Sequence, residues 1–324
     1  MRDQKPGEQI SAWRCLLAVD EIGVMVALLS VCGLLWATAG DQFMQPTNLL
    51  QVARQASSYG IMAVGMVLLL SMGEIDLSVG AILTLVNVVT AVALREGMPM
   101  PLAVVIGLMT GATCGLANGL LGVLLRIPAI IVTLGTMSVF RGLALVLSKA
   151  TPVGHFPKDN LLFDLGGGDA LGLPTSVLVM LAVGLGGHAL LNHTAFGWRA
   201  QAIGSNGQAA RFSGIPLDRY RVAAMTIMGL VAGIAGVMEL AFLQSGSPTT
   251  GQGYELYVIA SAVIGGTALT GGSGSVVGGI LGALLIAVIR NGLVLLAFSA
   301  YWGTVVTGAV IIAAVAIGGW VKRQ

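Results

Sequence analysis

Long apolar runs dominate this sequence and constrain its fold more than any other feature. Ten runs, bounded by polar residues or by glycine and proline, approach the roughly 20 residues that a helix needs to cross a bilayer. They cover residues 22–39, 52–72, 78–95, 101–125, 128–148, 174–191, 222–244, 255–271, 275–298 and 302–321. Charged residues make up 9% of the chain, against about 25% in soluble domains. The sequence predicts an all-α polytopic membrane protein of about ten transmembrane helices.

The basic residues predict the orientation, because cytoplasmic loops carry an excess of lysine and arginine. With the N-terminus inside, ten basic residues face the cytoplasm and four face outward. We therefore expect residues 1–21 and 322–324 to be cytoplasmic and residues 22–321 to form the transmembrane domain. Within that domain, 149–173 would be an external loop and 192–221 a cytoplasmic loop.

One interruption between apolar runs, Gly73–Gly80, contains two carboxylates, Glu74 and Asp76. An ionised group within a span costs about 2.5–3.5 kcal/mol, so it is retained where it faces protein, water or a functional path. The predicted orientation places both acids near the cytoplasm, where they would reach water and where Asp76 and Ser78 would cap the next helix. A gate is one interpretation of this stretch, and its residues are Gly73, Asp76, Ser78 and Gly80. A proton- or ion-coupled carrier that uses Glu74 and Asp76 is the alternative.

Two helices carry a glycine at every fourth residue, which places these glycines on one face and allows a neighbouring backbone to pack closely. The glycines are Gly107, Gly111, Gly115 and Gly119 in one run and Gly274, Gly278 and Gly282 in the other. Each series leads to an Asn-Gly-Leu sequence, at Asn118 and at Asn291.

Shifting the chain by 173 residues superimposes these two asparagines, and it maps spans two to five onto spans seven to ten. The offset is an odd number of spans, so the halves would have opposite orientations, as in inverted-repeat transporters. Gly73 then falls on Gly246, and Gly80 on Gly253, which makes Gly246 and Gly253 a candidate second gate at the outer face. Chance is the alternative in a chain with 47 glycines.

Several kinds of chemistry are missing from the sequence. No lysine follows a glycine, so a phosphate-binding loop of the P-loop type is excluded. If ATP drives this protein, the ATP and its Mg²⁺ would bind another subunit. The three histidines do not form a metal-binding pattern. No set of acid, base and nucleophile suggests an enzyme. We therefore expect no catalytic residues, no metal and no cofactor in this chain, and no nucleic-acid partner.

Four charged residues lie in or near the spans, namely Arg141, Glu239, Glu255 and Arg290. Interhelical pairing or snorkelling towards the membrane surface is the simpler interpretation. The other is a polar lining for a hydroxylated substrate, which requires paired donors and acceptors.

The cytoplasmic loop contains small residues around isolated basic ones. A short helix over residues 207–212 is predicted, with Asn206 as its N-cap and Gly214 as its stop. Such a helix suits docking into a cleft of a cytosolic protein. An amphipathic helix resting on the membrane surface is the alternative.

Five motifs together resemble the permease subunits of bacterial ATP-binding-cassette sugar importers, the group that serves ribose, xylose, arabinose, galactose and related compounds. They are Gly73–Gly80, Ile131–Thr136 with Arg141-Gly142, Ala202–Ile215, Gly253–Leu256 with Ile259-Ala260, and Ile264–Gly274. They follow one another along nearly the whole chain. Glu74, Trp198 and Tyr257 depart from the usual pattern.

The resemblance implies a ten-helix permease in the bacterial inner membrane, with both termini cytoplasmic, that imports a monosaccharide or related polyol. Its partners would be a cytosolic ATPase, a periplasmic sugar-binding protein, a second permease copy or sister permease, and lipid. The ATPase-coupling residues would be Gly204, Asn206, Ala209, Ala210, Ser213 and Gly214. The candidate pathway residues are Asn118, Thr133, Arg141, Glu255 and Asn291. A secondary carrier would have no use for the Ala202–Ile215 motif, and the residues do not identify the sugar.

Overall fold

The structure, a computed structural model, describes residues 20–156, 161–299, 301–303, 305–306, 308–309 and 312. Helices account for most of these residues. The first helices are α1 (Asp20–Ala39), α2 (Asp41–Met44), α3 (Pro46–Ser71), α4 (Val79–Arg95), α5 (Met100–Leu125) and α6 (Ala129–Ser148). A π-helical turn (Leu162–Gly166) and a small antiparallel hairpin, β1 (Asp169–Ala170) and β2 (Leu173–Pro174), precede α7 (Thr175–His193). The last elements are α8 (Ala195–Ser205), α9 (Gly207–Phe212), α10 (Leu217–Leu243), α11 (Tyr254–Ile264) and α12 (Val276–Leu295).

The predicted spans agree with these helices. Within the described residues, seven helices are long and apolar enough to cross a membrane, namely α1, α3, α5, α6, α7, α10 and α12. The apolar helices α4 and α11 are shorter. The tenth predicted run, 302–321, falls mostly outside the described residues, although 301–303, 305–306, 308–309 and 312 are helical. The all-α polytopic prediction is confirmed.

The prediction of one continuous span over 255–271 is wrong. Helix α11 ends at Ile264. Gly265 follows as the C-cap, and Gly266 takes a φ of +88°, a left-handed conformation that glycine adopts without steric cost. The remainder of the run is an irregular connection to α12.

Helix α3 forms the centre of the molecule. Its side chains from Ala56 to Ser71 are buried, because α7, α10, α11 and α12 surround it. By contrast, α5 and α6 expose large apolar side chains such as Leu124 and Val146. Exposed apolar faces are what a lipid environment favours, since lipid tails are as apolar as leucine.

The glycine faces pack as predicted. A Cβ built on Gly111 would lie 2.5 Å from the carbonyl oxygen of Gly229, and one on Gly115 would lie 2.2 Å from that of Met225, both on α10. On α12, a Cβ on Gly282 would lie 2.1 Å from the carbonyl oxygen of Ser261 on α11. Side chains at these positions would force the helix pairs apart.

The helix boundaries support the repeat. Shifted by 173 residues, α3, α4 and α5 would begin at 219, 252 and 273, while α10, α11 and α12 begin at 217, 254 and 276. The packing repeats as well, because α5 lies against α10 while α12 lies against α3. The connections are not equivalent: Gly73 has a φ of +75°, whereas its counterpart Gly246 does not have a positive φ.

Candidate functional site

Hydrogen bonds to the Asp76 carboxylate hold the connection between α3 and α4 in a compact turn. One carboxylate oxygen, Oδ1, accepts the backbone N–H of Ser78 at 2.7 Å and the Ser78 hydroxyl at 2.6 Å. The amide of Asn118 on α5 donates to Asp76 Oδ2 at 3.3 Å and to Ser78 Oγ at 2.8 Å. From α6, the Thr133 hydroxyl accepts the N–H of Leu77 at 3.1 Å. Two helices, α5 and α6, therefore hold this connection. We call the four residues Asp76, Ser78, Asn118 and Thr133 the inner cluster, after the predicted orientation.

Two expectations for this stretch are wrong. Asp76 does not reach water, because it is fully buried. Ser78 occupies the N-cap position of α4, but its side chain makes no capping hydrogen bond, since its hydroxyl is turned to Asp76. The neighbouring Glu74 forms an ion pair of 2.6 Å with Arg221 at the start of α10. Burial raises the pKa of the Glu74 carboxyl above its ordinary value, and the Arg221 charge offsets part of that effect.

The candidate gate residues fall into separate places. A Cβ on Gly80 would lie 2.3 Å from the carbonyl oxygen of Gly251, so the start of α4 touches the connection between α10 and α11. Gly253, with a φ of +81°, starts α11 after this contact. Gly73 lies apart, beside the backbone of Thr270, and Gly246 forms an isolated antiparallel bridge with Val153.

Several buried polar atoms lack a hydrogen-bond partner in the described chain, although most such atoms in proteins are paired. Three belong to the predicted pathway residues: Asn118 Oδ1, Arg141 Nη2 and Glu255 Oε2. A Cβ on Gly80 would lie 2.8 Å from Glu255 Oε2, and the charge of Arg141 acts on Glu255 without forming an ion pair. A water molecule or a ligand can supply the missing hydrogen-bond partner of such an atom.

Two further unpaired atoms, Asn87 Oδ1 and Thr90 Oγ1, escaped the sequence analysis. Both side chains are neutral and lie three residues apart on the buried helix α4. Two polar residues at helical spacing in an apolar run were the sequence signal that could have revealed them. Asn291, which was predicted with Asn118, lies elsewhere: it exchanges two amide hydrogen bonds with Asn48, at 2.7 and 3.2 Å.

Sequence patterns also did not reveal a pocket of about 180 Å³. It lies at the start of α3 and the end of α10, opposite the helix ends near Glu74 and Arg221. We call it the outer pocket, because the predicted orientation places these helix ends at the outer face. Its floor is the Glu239 carboxylate, which accepts the Ser58 hydroxyl at 2.6 Å and the Tyr254 hydroxyl at 3.3 Å. Its lining comprises Gln51, Val52, Arg54, Gln55, Ser58, Gly166, Gly167, Gly168, Pro174, Ser176, Met238, Glu239, Phe242, Tyr254 and Asn291.

Arg290 fits the simpler of the two interpretations. Its guanidinium donates to the Tyr59 hydroxyl and lies 4.4 Å from the centre of the Tyr257 ring. These contacts join α12 to α3 and α11 inside the protein, as an interhelical pairing would.

The short helix predicted over residues 207–212 is confirmed as α9. The Asn206 side chain accepts the N–H of Ala209 at 3.0 Å, and Gly214 has a φ of +81° just beyond the helix. The preceding helix, α8, was not predicted. Ala209 is exposed, and so is the Phe212 side chain, at 91%.

The six predicted coupling residues divide between two environments. Asn206, Ala209, Ser213 and Gly214 are exposed. Ala210 is buried, and a Cβ on Gly204 would lie 2.0 Å from the carbonyl oxygen of Ser71. Gly204 therefore packs against the end of α3.

A family model described as the permease component of branched-chain amino acid transport systems matches residues 48–315. The chain belongs to this family. It is thus a transport component of a membrane system and not an enzyme. Multiple apolar helices and this membership agree on a multi-pass membrane protein.

Several named permeases are similar to this chain along most of their length. The ribose import permease protein RbsC of Escherichia coli strain K12 is 38% identical over 302 residues, which is 93% of each chain. RbsC of Bacillus subtilis strain 168 is 40% identical over 273 residues, or 84% of this chain and 85% of the relative. The D-allose transport system permease protein AlsC of E. coli K12 is 35% identical over 305 residues, or 94% and 93%. No solved structure matches the chain.

Proposed function

We propose that this chain is the membrane-spanning subunit of an ATP-driven importer that carries a monosaccharide or related polyol across a bacterial inner membrane. The observation that carries the proposal is the full-length similarity to permeases named for ribose and D-allose. The outer pocket and the unpaired buried atoms support it, since a hydroxylated substrate requires donors and acceptors.

Ion coupling through Glu74 and Asp76 receives no support from the geometry. Both oxygens of Asp76 accept hydrogen bonds from protein groups, and Asp76 is fully buried. Glu74 is paired with Arg221. A relay residue would instead need access to water or to a proton path.

We propose that the exposed face of α9 docks on a cytosolic ATPase, which supplies the ATP and Mg²⁺ site. Ala209, Phe212 and Ser213 lie exposed on this short helix and its end. Asn206 and Ala210 would position the helix, and Gly204 would anchor it to the end of α3. The ion pair between Glu74 and Arg221 would link the same region to the inner cluster.

The proposed topology places residues 1–21, 192–221 and 322–324 in the cytoplasm and 149–173 in the periplasm, where a sugar-binding protein would deliver the substrate. The pathway would run past the contact of Gly80 with Gly251, flanked by Asn118, Arg141 and Glu255. Gly246 would lie towards the outer face and Gly73 towards the inner face.

A second permease chain, identical or related, would pack on α6. The outward side of this helix carries Gly135, Ser138 and Gly142, which fall on one face, and a Cβ on either glycine would meet nothing within 4 Å. Small residues on such a face allow another helix to approach closely.

Uptake by the reconstituted system tests the main proposal. Proteoliposomes that contain this chain, its ATPase and its binding protein should accumulate labelled sugar only with ATP on the ATPase side. Accumulation under a proton gradient without the ATPase would show that the chain is a secondary carrier.

The docking face has a test of its own. Ala209→Trp should abolish ATPase stimulation and uptake, because the larger ring would block docking while projecting into solvent. Trp at Gly204 is unsuitable, since it would clash with the α3 backbone. Leu185→Trp, at a position 73% exposed on α7, is the matched control and should leave both activities intact. Normal stimulation in Ala209→Trp would remove α9 from the interface.

A further inference from the structure

The outer pocket joins a polar face of α3 to the ends of two other helices. Gln51, Arg54, Gln55 and Ser58 are spaced by three, four and seven residues and therefore lie on one side of α3. That side is unusual, because the same helix is buried and mainly apolar from Ala56 onward. Polar side chains at this depth are retained where they have a partner or a task.

The Glu239 carboxylate is held in place by two hydrogen bonds and can accept more. Each of its oxygens accepts one hydrogen bond, from Ser58 and from Tyr254, whereas an ionised carboxylate can accept about four. Glu239 remains partly exposed while its neighbours Met238 and Leu240 are buried. The exposed part faces the pocket, since Glu239 belongs to its lining.

The cation in the lining is already engaged. Arg54 donates to the carbonyl oxygen of Gly167 at 3.1 Å, forms an ion pair with Asp169, and lies 4.8 Å from the ring centre of Phe242. An anionic ligand would have to displace the Asp169 partner. Among the described residues, the pocket therefore offers carboxylate acceptors, side-chain amides and aromatic surface but no free cation.

The glycines of the external segment hold its wall in place. A Cβ on Gly167 would lie 2.2 Å from the carbonyl oxygen of Ala241, and one on Gly166 would lie 2.9 Å from the Ala241 side chain. Only glycine lets this turn approach the end of α10 so closely. The Gly166-Gly167-Gly168 run thus shapes the pocket mouth, where Arg54 fastens it.

We infer that the outer pocket binds one polyhydroxylated molecule of monosaccharide size. Two hydroxyls of the ligand donate to Glu239, the amides of Gln51 and Gln55 bond to others, and Phe242 and Tyr254 contact its apolar faces. The volume of about 180 Å³ lies below the roughly 300–1,000 Å³ of sites for drug-sized ligands, which favours a small molecule. The inference rests on the proposed function, and it adds a site within a single chain, away from the Gly80 contact.

Direct binding to the full chain in lipid nanodiscs tests the inference, with tritiated D-ribose, D-xylose and D-allose as probes. We expect saturable binding of at least one probe and an affinity about tenfold lower in Glu239→Gln, which keeps the shape and removes the charge that strengthens hydrogen bonds. Glu96→Gln is the matched control, because that carboxylate is 67% exposed and lies outside the pocket lining. Its affinity should equal that of the unaltered chain.

A second variant separates binding from folding. Gln55→Ala removes a pocket amide that makes no side-chain hydrogen bond within the described residues, and it should weaken binding about threefold with unchanged thermal unfolding. Two results would overturn the inference. One is the absence of saturable binding by the unaltered chain, and the other is an affinity in both Glu239→Gln and Gln55→Ala that equals that of the unaltered chain. Uptake by the complete system would still report on the proposed function, so the two failures are distinguishable.

Discussion

The inner cluster and the outer pocket are built from the same chemistry and use it differently. Each contains one carboxylate and one serine hydroxyl that donates to it at 2.6 Å. Asp76 is fully buried, and its hydrogen bonds fix the connection between α3 and α4. Glu239 faces a pocket and keeps acceptor capacity in reserve. A buried carboxylate thus indicates function only where part of its hydrogen-bonding capacity is left open.

The first prediction breaks the inner cluster. Asp76→Ala should lower the unfolding free energy by about 3 kcal/mol or more, because it leaves the N–H and the hydroxyl of Ser78 buried without their acceptor, at about 1–3 kcal/mol each, and removes one of the two acceptors of the Asn118 amide. Thermal unfolding in detergent measures the loss. Asp41→Ala, at an exposed residue in the first turn of α2, should change stability far less. Equal losses would show that Asp76 is not a structural centre.

The second prediction tests the contact between the start of α4 and the connection from α10 to α11. Gly80→Ala should destabilise the protein by about 1–3 kcal/mol, because its Cβ would meet the Gly251 carbonyl oxygen at 2.3 Å. Gly23→Ala is the matched control, since a Cβ there meets nothing within 4 Å and alanine favours a helix. If both variants unfold at the same temperature, the two backbones do not touch as described.

The third prediction concerns the mouth of the outer pocket and has the smallest effect on stability. Asp169→Asn removes the charge that holds Arg54, but an ion pair with partners this exposed contributes only about 0–1 kcal/mol. Thermal unfolding should stay nearly constant, while dissociation of a bound sugar should become several-fold faster. Slower or unchanged dissociation would mean that the Arg54–Asp169 pair does not restrain the pocket wall.

Sequence patterns predicted the parts of the fold that depend on local chemistry. Helix α9 was placed correctly because Asn206 and Gly214 each act on neighbours a few residues away. The glycine faces were equally visible, since their spacing alone puts them on one side of a helix. Helix α8 was missed because its many small residues, among them Ala200, Ala202 and Gly204, were assigned to a polar loop.

The contacts that depend on distant residues could not be predicted. Ser58 and Glu239 meet across 181 positions, and neither sequence neighbourhood points to the other. The polar residues at 51, 54, 55 and 58 were the one available signal, because they interrupt an apolar helix on a single face. Likewise, the burial of Asp76 depends on Asn118 and Thr133, which arrive from two other helices.

The exchange of helices between the two halves has a mechanical consequence. Helix α5 of the first half packs on α10 of the second at glycine-to-backbone distances that leave no room for a side chain, and α12 of the second half packs on α3 of the first. Many inverted-repeat carriers work by rocking one repeat against the other. In this chain each half packs a helix on the other half, so rocking one half against the other would separate these helix pairs. Bending at the connections Gly73–Gly80 and 244–253 would leave them packed.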